Sequence, residues 1–519
     1  MNRTSRFFRS LLSGYGTSCV VAACSLVSVS IAFRHFSATE FGLWALVFQI
    51  NSYLLLADFG VSNAVGRFLM DWKDQRPSRS FGAIFIAGFF LCLVQAGFVI
   101  VLALLVACWG PDIFRISPGL QGDFRFLIIT QAMISCLLMP FRVFTFALVA
   151  YGRFDWINLG GMLGQVFSLA GFAWGIQQGW GIRSYLVGTT LETVLAASVL
   201  WAANHRLGLA PKKTEWSRPS LEIFQKILKY GRDMFMVLIG GRLVYGSQAL
   251  LLARFASLEQ VAIWSVGSKM FVFLRELSAQ VGQASGPLLI ELYQQGDSRK
   301  AVSMMQHLVS AGSGLAAIFG SILIFWNGAF VQAWTHGKIK WDSELDFFLA
   351  LLLLLLGCLP VLIHVTGMTK NLEKFRWASL SEGSLFIVLA SPAIFGFGII
   401  GMVLCQLLSA LLIGWFFVSL VLGDFNRAHG THVHFPLGVL LVWTTPLLLA
   451  FVLKSLILAE FSAGLTVGST CFVWMVVFLL FIPSLLKFQA QILKHLGSFR
   501  SFLYLKSLSS RFFSKLKDL

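Results

Sequence analysis

Apolar stretches of roughly 20 residues, each long enough to cross about 30 Å of hydrocarbon as a helix, recur along almost the whole chain, and several carry charge at mid-span. A water-soluble core has no use for so many. Only 12% of the residues are charged and 57% are hydrophobic, whereas soluble domains carry about 25% charge, so the chain belongs to the membrane class. Spans are expected near 11–33, 41–64, 81–109, 124–150, 156–176, 182–203, 229–254, 261–290, 303–326, 344–367, 377–396, 398–422, 437–458 and 463–486. Each is too long and too continuously apolar for a barrel strand, so all read as helices. The expected class is an all-α polytopic membrane protein of about 14 transmembrane helices.

The net charge of +17 does not mark a nucleic-acid binder. Roughly two thirds of the lysines and arginines fall in segments on one side of the predicted spans, the bias that marks the cytoplasmic face. An even number of spans puts both termini there, with Arg3, Arg6 and Arg9 at one end and the basic tail 487–519 at the other. That tail interleaves Phe and Leu with Arg and Lys, so it reads either as an amphipathic helix on the inner leaflet or as a solvated end. The expected organisation is a six-helix half over 1–210, a cytoplasmic linker over 211–228 with Pro211 and Pro219, a second six-helix half over 229–423, two additional helices over 424–486, and the tail. The eight cysteines fall in or beside apolar spans without a CxxC and read as small hydrophobes.

The two halves repeat. Tyr15-Gly16 opens the first span and Tyr230-Gly231 the seventh. Phe36-Ser37-Ala38-Thr39-Glu40-Phe41-Gly42-Leu43-Trp44 follows the first, and Phe255-Ala256-Ser257-Leu258-Glu259-Gln260-Val261-Ala262-Ile263-Trp264 follows the seventh. Asp71-Trp72-Lys73-Asp74-Gln75 and Tyr293-Gln294-Gln295-Gly296-Asp297 follow the second and eighth. An even number of spans separates the copies, so the halves share one orientation, related by a pseudo-twofold along the membrane normal.

Four basic residues fall deep inside spans: Arg142, Arg242, Lys269 and Arg275. By helical rise they lie about 12–21 Å from the ends of their spans. Arg232, near a span end, can snorkel. Each deep charge costs about 2.5–3.5 kcal/mol on insertion scales, so lipid-facing placement is excluded. They are expected either to line a hydrated cationic cavity or to pair with acids, for which Asp58, Glu192, Glu276 and Glu382 are the candidates. Polar stripes are expected in span two (Asn51, Asp58, Ser62), span four (Gln131, Ser135, Arg142) and span eight (Ser265, Lys269, Glu276, Gln280, Gln283). Each reads as a cavity wall or as an interhelical hydrogen-bond seam. Guanidinium bonds phosphate bidentately and keeps its charge when desolvated, so such a cavity suits an anionic passenger.

Gly14-Tyr15-Gly16, Glu40-Phe41-Gly42-Leu43-Trp44-Ala45-Leu46 and Asp58-Phe59-Gly60-Val61-Ser62-Asn63-Ala64-Val65-Gly66-Arg67-Phe68 resemble the N-terminal third of O-antigen-type polysaccharide flippases. These transport lipid-linked oligosaccharides and belong to the multidrug/oligosaccharidyl-lipid/polysaccharide exporter superfamily. Tyr151-Gly152-Arg153-Phe154-Asp155 is similar to another turn of that family. The resemblance implies two six-helix lobes around a central cavity, with two extra C-terminal helices. It implies transfer of an undecaprenyl-pyrophosphate-linked saccharide across the bacterial inner membrane by alternating access, for O-antigen, capsule or exopolysaccharide synthesis. Membrane lipids and polysaccharide polymerase or assembly proteins are the implied partners. Arg142, Arg242, Lys269 and Arg275 are the expected substrate-binding residues. Asp58, Glu192 and Glu276 are candidates for ion coupling or gating, Asp58 equally for a helix-end cap.

The rival readings are an ion-coupled multidrug exporter, a peptidoglycan-precursor flippase, and a membrane glycosyltransferase or polymerase. The last needs an acidic catalytic site or a large external loop. No carboxylate dyad, nucleophile–base pair or GxxxxGK[ST] loop occurs, and His429, His432 and His434 have no fourth ligand nearby. Neither enzymatic activity nor a cofactor is expected.

Overall fold

A computed structural model describes residues 3–54, 58–72, 79–279, 289, 298–369, 372–429 and 437–460. The fourteenth expected span, the tail 487–519, Gln280, Gln283, His432 and His434 lie outside them, as does the repeat segment Tyr293–Asp297. The described chain is helical: α1 (Arg3–His35), α2 (Ala38–Leu54), α3 (Val61–Trp72), α4 (Arg79–Ile113), α5 (Pro118–Leu138), α6 (Arg142–Ala150), α7 (Phe154–Gln177) and α8 (Ser184–Arg206) come first. Then follow α9 (Leu221–Tyr245), α10 (Gln248–Phe255), α11 (Leu258–Gly267), α12 (269–279), α13 (Ser298–Trp334), α14 (Leu345–Thr369), α15 (Leu372–His429) and α16 (Leu437–Glu460). Among the described residues, seven helical segments are long and apolar enough to cross a membrane, and 345–359 and 440–455 are shorter apolar helices. The protein is therefore a multi-pass membrane protein.

Two compact units emerge. The first comprises Met1–Lys269, Gly328–Asp342 and Leu372–Gly414; the second comprises Met270–Asn327, Ser343–Asn371 and Trp415–Leu519.

In the first unit, the paired repeat segments form the same local structure. Ser37 Oγ accepts from the Glu40 N–H at 3.2 Å while Glu40 Oε2 accepts from the Ser37 N–H at 2.8 Å. This is a reciprocal capping box that starts α2. Ser257 Oγ accepts from the Gln260 N–H at 3.2 Å and starts α11 with the same serine cap, without the return bond from the Gln260 side chain. The two matching helices pack on each other, and the approach is close: a Cβ on Gly42 would stand 1.9 Å from the Leu258 carbonyl oxygen. Around this junction sits an aromatic core of Phe33, Phe36, Phe41 and Phe172 with Val266, Val331 and Ile339. Trp44 stacks on Phe172 with centroids 6.0 Å apart, and its repeat counterpart Trp264 lies 6.5 Å from Trp341.

Four expected spans are not continuous helices. The second is interrupted between α2 and α3, where Phe59 (φ 46) and Gly60 (φ 72) take left-handed backbone. The fourth gives way at Met139–Phe141 to a 3₁₀ turn containing Pro140, which cannot donate the next helical hydrogen bond. The seventh breaks at Gly246-Ser247, between α9 and α10, and the eighth at Ser268, between α11 and α12.

The opposite occurs at α15. As one straight helix its 58 residues would reach about 87 Å, nearly three bilayer cores. Gly398 interrupts it at φ 57, ψ −135, and a Cβ on Gly401 would stand 2.4 Å from the Ala393 carbonyl oxygen. Residues eight apart meet only if the chain doubles back. The turn falls where the expected spans 377–396 and 398–422 divide.

In the second unit α13, α14 and α16 pack together, with Phe347 and Phe451 rings 4.8 Å apart. Asp346, in the first turn of α14, is fully buried. Its Oδ1 accepts from Asn327 Nδ2 at 2.8 Å and its Oδ2 lies 3.7 Å from Lys454 Nζ of α16. The same ammonium donates to the Ile324 carbonyl.

Candidate functional site

Where helices break inside a bilayer, freed backbone groups must be satisfied by protein or by a wet cavity, so breaks mark sites. Here Asp58, Arg142, Arg242 and Lys269 each stand at or beside one of the four interruptions.

Asp58 precedes α3 and caps it. Its carboxylate accepts from the Ser62 hydroxyl at 2.6 Å and from the Ser62 N–H at 3.3 Å. The anion thus sits at the favourable end of the helix dipole. Arg142 is the first residue of α6, the unfavourable end for a cation, and so needs a counter-charge. Asp58 supplies it: Arg142 Nη1 lies 3.4 Å from Asp58 Oδ1, and Nη2 donates to Ser62 Oγ at 2.9 Å. Gln95 of α4, itself 5% exposed, donates to the Asp58 carbonyl at 2.7 Å and ties down the interruption. The Arg142 side chain remains 36% exposed and that of Asp58 16%. The pair is held firmly, with Arg142 Nη1 buried beside the acid and the arginine side chain as a whole only partly exposed.

The backbone beside Asp58 leaves little freedom. A Cβ on Gly60 would stand 2.2 Å from the carbonyl oxygen of Gly231, the repeat glycine of α9. The tight crossing of α3 on α9 and the left-handed turn both require glycine there.

On the other side of the interruption, α2 reaches Arg242. Ser52 Oγ accepts from Arg242 Nη1 at 3.0 Å, and Tyr53 donates its hydroxyl to the Arg242 carbonyl at 2.8 Å. Arg242 lies in the last turn of α9, where a cation is favoured, and its side chain is exposed. The interrupted second span is thus bracketed by two arginines, from α6 and from α9. Lys269, exposed, begins α12 just beyond Ser268.

The remaining candidates lie elsewhere. Arg275 is half-buried and Glu276 exposed, both on α12 in the second unit. Glu192 sits in the α7–α8 seam, accepting from Gln165 Nε2 at 2.6 Å. Gln131 is buried and accepts from Thr189 of α8 at 2.7 Å. It therefore belongs to a helix seam and not to the Arg142 site, because the Pro140 turn separates it from the expected stripe. Sequence reasoning did not pair Asp58 with Arg142, or Asp346 with Lys454. The Asp-Phe-Gly tripeptide and Pro140 were the available signals for the first.

No protein-family model matches the chain, and no curated protein matches it. Solved structures do. One is described as lipid II flippase MurJ in an inward closed conformation: TM-score 0.68, 13% identity, covering 92% of this chain and 99% of that one. Another is an inward-facing multidrug resistance MATE family transporter of the MOP superfamily: TM-score 0.62, 13% identity, 80% and 96% coverage. A third is an outward-facing transporter of the same description: TM-score 0.52, 12% identity, 79% and 96% coverage. At such identities the likeness concerns the fold alone, which this chain shares with these solved transporter structures.

Proposed function

We propose that this protein is a flippase that moves an undecaprenyl-pyrophosphate-linked oligosaccharide across a bacterial inner membrane by alternating access, serving surface polysaccharide synthesis. The observation that carries the reading is the set of basic residues at interrupted spans. Arg142 stays partly exposed despite its acid, and Arg242 and Lys269 are exposed. Permanent charge inside hydrocarbon is otherwise costly, and a pyrophosphate is the passenger that several cations compensate. Arg142, Arg242 and Lys269 are assigned to the passenger, and Asp58 to gating, through its competition with the passenger for Arg142. Arg275 and the acids Glu192 and Glu276 are kept as further candidates, to be tested separately. Likeness to proteins described in inward and outward conformations supports alternating access. Polymerase or assembly proteins would receive the passenger.

A second reading is favoured by the 0.68 TM-score to a lipid II flippase: the passenger is a peptidoglycan precursor, which carries the same pyrophosphate. A multidrug exporter for cations fits less well, because the groups at the interruptions are mostly basic.

The test is surface polysaccharide in a deletion strain complemented with Arg242→Ala or Lys269→Ala. Loss of polysaccharide with normal membrane levels of the variant supports the site. Normal polysaccharide in both variants counts against it. Complementation of a strain depleted of its peptidoglycan-precursor flippase separates the two passengers.

A further inference from the structure

A cleft of about 310 Å³ opens beside the turn between α6 and α7, lined by Ser13, Arg153, Asp155, Trp156, Leu159 and Met162. It lies wholly in the first unit, at the opposite end of α6 from Arg142. We propose that it holds a zwitterionic aminophospholipid, with the headgroup on the Arg153–Asp155 pair and the chains along α7.

The polar end is built. Gly152, at φ 64, closes α6, and the Arg153 N–H bonds the Leu148 carbonyl at 2.9 Å while Gly152 N–H bonds that of Val149. This fixes the arginine backbone. Arg153 then engages Asp155 through two parallel bonds, Nε to Oδ1 at 3.0 Å and Nη2 to Oδ2 at 2.9 Å. The Asp155 hydrogen bond holds the Arg153 guanidinium above its usual pKa, against the effect of burial. The opposite wall is α1, anchored where Asn158 Nδ2 donates to Ser13 Oγ at 2.9 Å and Thr17 Oγ1 donates to the Asn158 carbonyl at 3.3 Å.

The apolar end is equally directional. Asp155, Leu159 and Met162 follow the spacing of one helix face. Leu159 and Met162 lie about 6 and 10 Å along α7 from the carboxylate. Charge at one end, apolar side chains one and two turns deeper, and a tryptophan at the boundary match the profile of a lipid at the membrane interface.

The charges choose the headgroup. Arg153 and Asp155 are 23% and 18% exposed, so both remain reachable, and together they are neutral. A purely anionic head would have to take Arg153 from its carboxylate. A head with a phosphodiester and a primary ammonium meets both partners at once. A quaternary ammonium has no N–H to give Asp155.

The test is native mass spectrometry of the full chain in detergent, offered phosphatidylethanolamine, phosphatidylglycerol and phosphatidylcholine at equal concentration. The wild type is expected to retain one phosphatidylethanolamine in preference to the others. Asp155→Asn should lose about tenfold of that preference, the worth of one charge-assisted hydrogen bond, and shift towards phosphatidylglycerol. Met162→Trp leaves the ion pair intact and should lose the retained lipid by filling the apolar end. Equal retention of the three lipids by the wild type overturns the proposal. So does unchanged phosphatidylethanolamine retention in Met162→Trp, which remains decisive where Asp155→Asn fails to fold.

Discussion

Arg142 Nη1 and Asp58 Oδ1 stand 3.4 Å apart, each beside the interruption of a different membrane-crossing segment. The dependence is one-sided. The arginine begins a helix, where the dipole repels it, whereas the aspartate already caps α3 through Ser62. Their union gives Arg142 the counter-charge its helix start lacks while its side chain stays 36% exposed.

Arg142→Gln is therefore expected to destabilise the protein by about 1–3 kcal/mol, by leaving Asp58 with hydroxyl and amide partners only. Asp58→Asn with Arg142→Gln should recover most of that loss but no transport. Thermal melting in detergent and flipping of lipid-linked oligosaccharide in reconstituted vesicles provide the two readouts. A double variant that restores transport would remove Arg142 from the passenger's path.

Gly60→Ala should be far more damaging than Gly66→Ala, although both lie on the same short stretch. At position 60 the added carbon meets both a left-handed backbone and the Gly231 carbonyl at 2.2 Å; at position 66 its nearest neighbour is 3.8 Å away. A cost of about 1–3 kcal/mol is expected at position 60, and under about 0.5 kcal/mol at position 66. Comparable melting temperatures for the two variants would mean that α3 and α9 do not cross as described.

Ser37→Ala and Ser257→Ala should each cost about 1 kcal/mol, the usual worth of an N-cap hydroxyl. The effects should be similar because the two serines perform the same task in matching helices. A large effect from one and none from the other would break the equivalence of the repeats at this point.

Lys454→Met should cost about 3–5 kcal/mol, because it leaves the buried Asp346 carboxylate without its cation. Lys454→Met combined with Asp346→Asn should return close to wild-type melting. A single variant as stable as wild type would show that Asp346 is compensated from elsewhere.

Much of the architecture was legible because hydropathy reports length. The helical class followed from apolar runs too long for strands. The turn at Gly398 fell between two expected spans, and the paired Ser37/Glu40 and Ser257/Gln260 segments proved to be matching helix starts. The interruptions were not legible, because a window of about 19 residues averages away a single left-handed residue. Phe59-Gly60 reverses the backbone without changing the hydropathy, and Gly246-Ser247 and Ser268 are turns whose backbone stays right-handed. The ionic partners were harder still. Asp58 and Arg142 are remote in sequence, and only the packing of α3 on α6 joins them. Gln131 shows the reverse failure: its helical spacing from Arg142 suggested a shared face, but Pro140 ends the register between them.

The Asp346–Lys454 pair also has a consequence for biosynthesis. Chains grow at about 5–20 residues per second, so the lysine is made roughly 5–20 s after the acid it neutralises. During that interval α14 enters the bilayer with its carboxylate lacking this cation, which favours holding the acid at the water boundary. The arrival of α16 ends the delay, so a helix made well after α14 decides when the earlier part can settle.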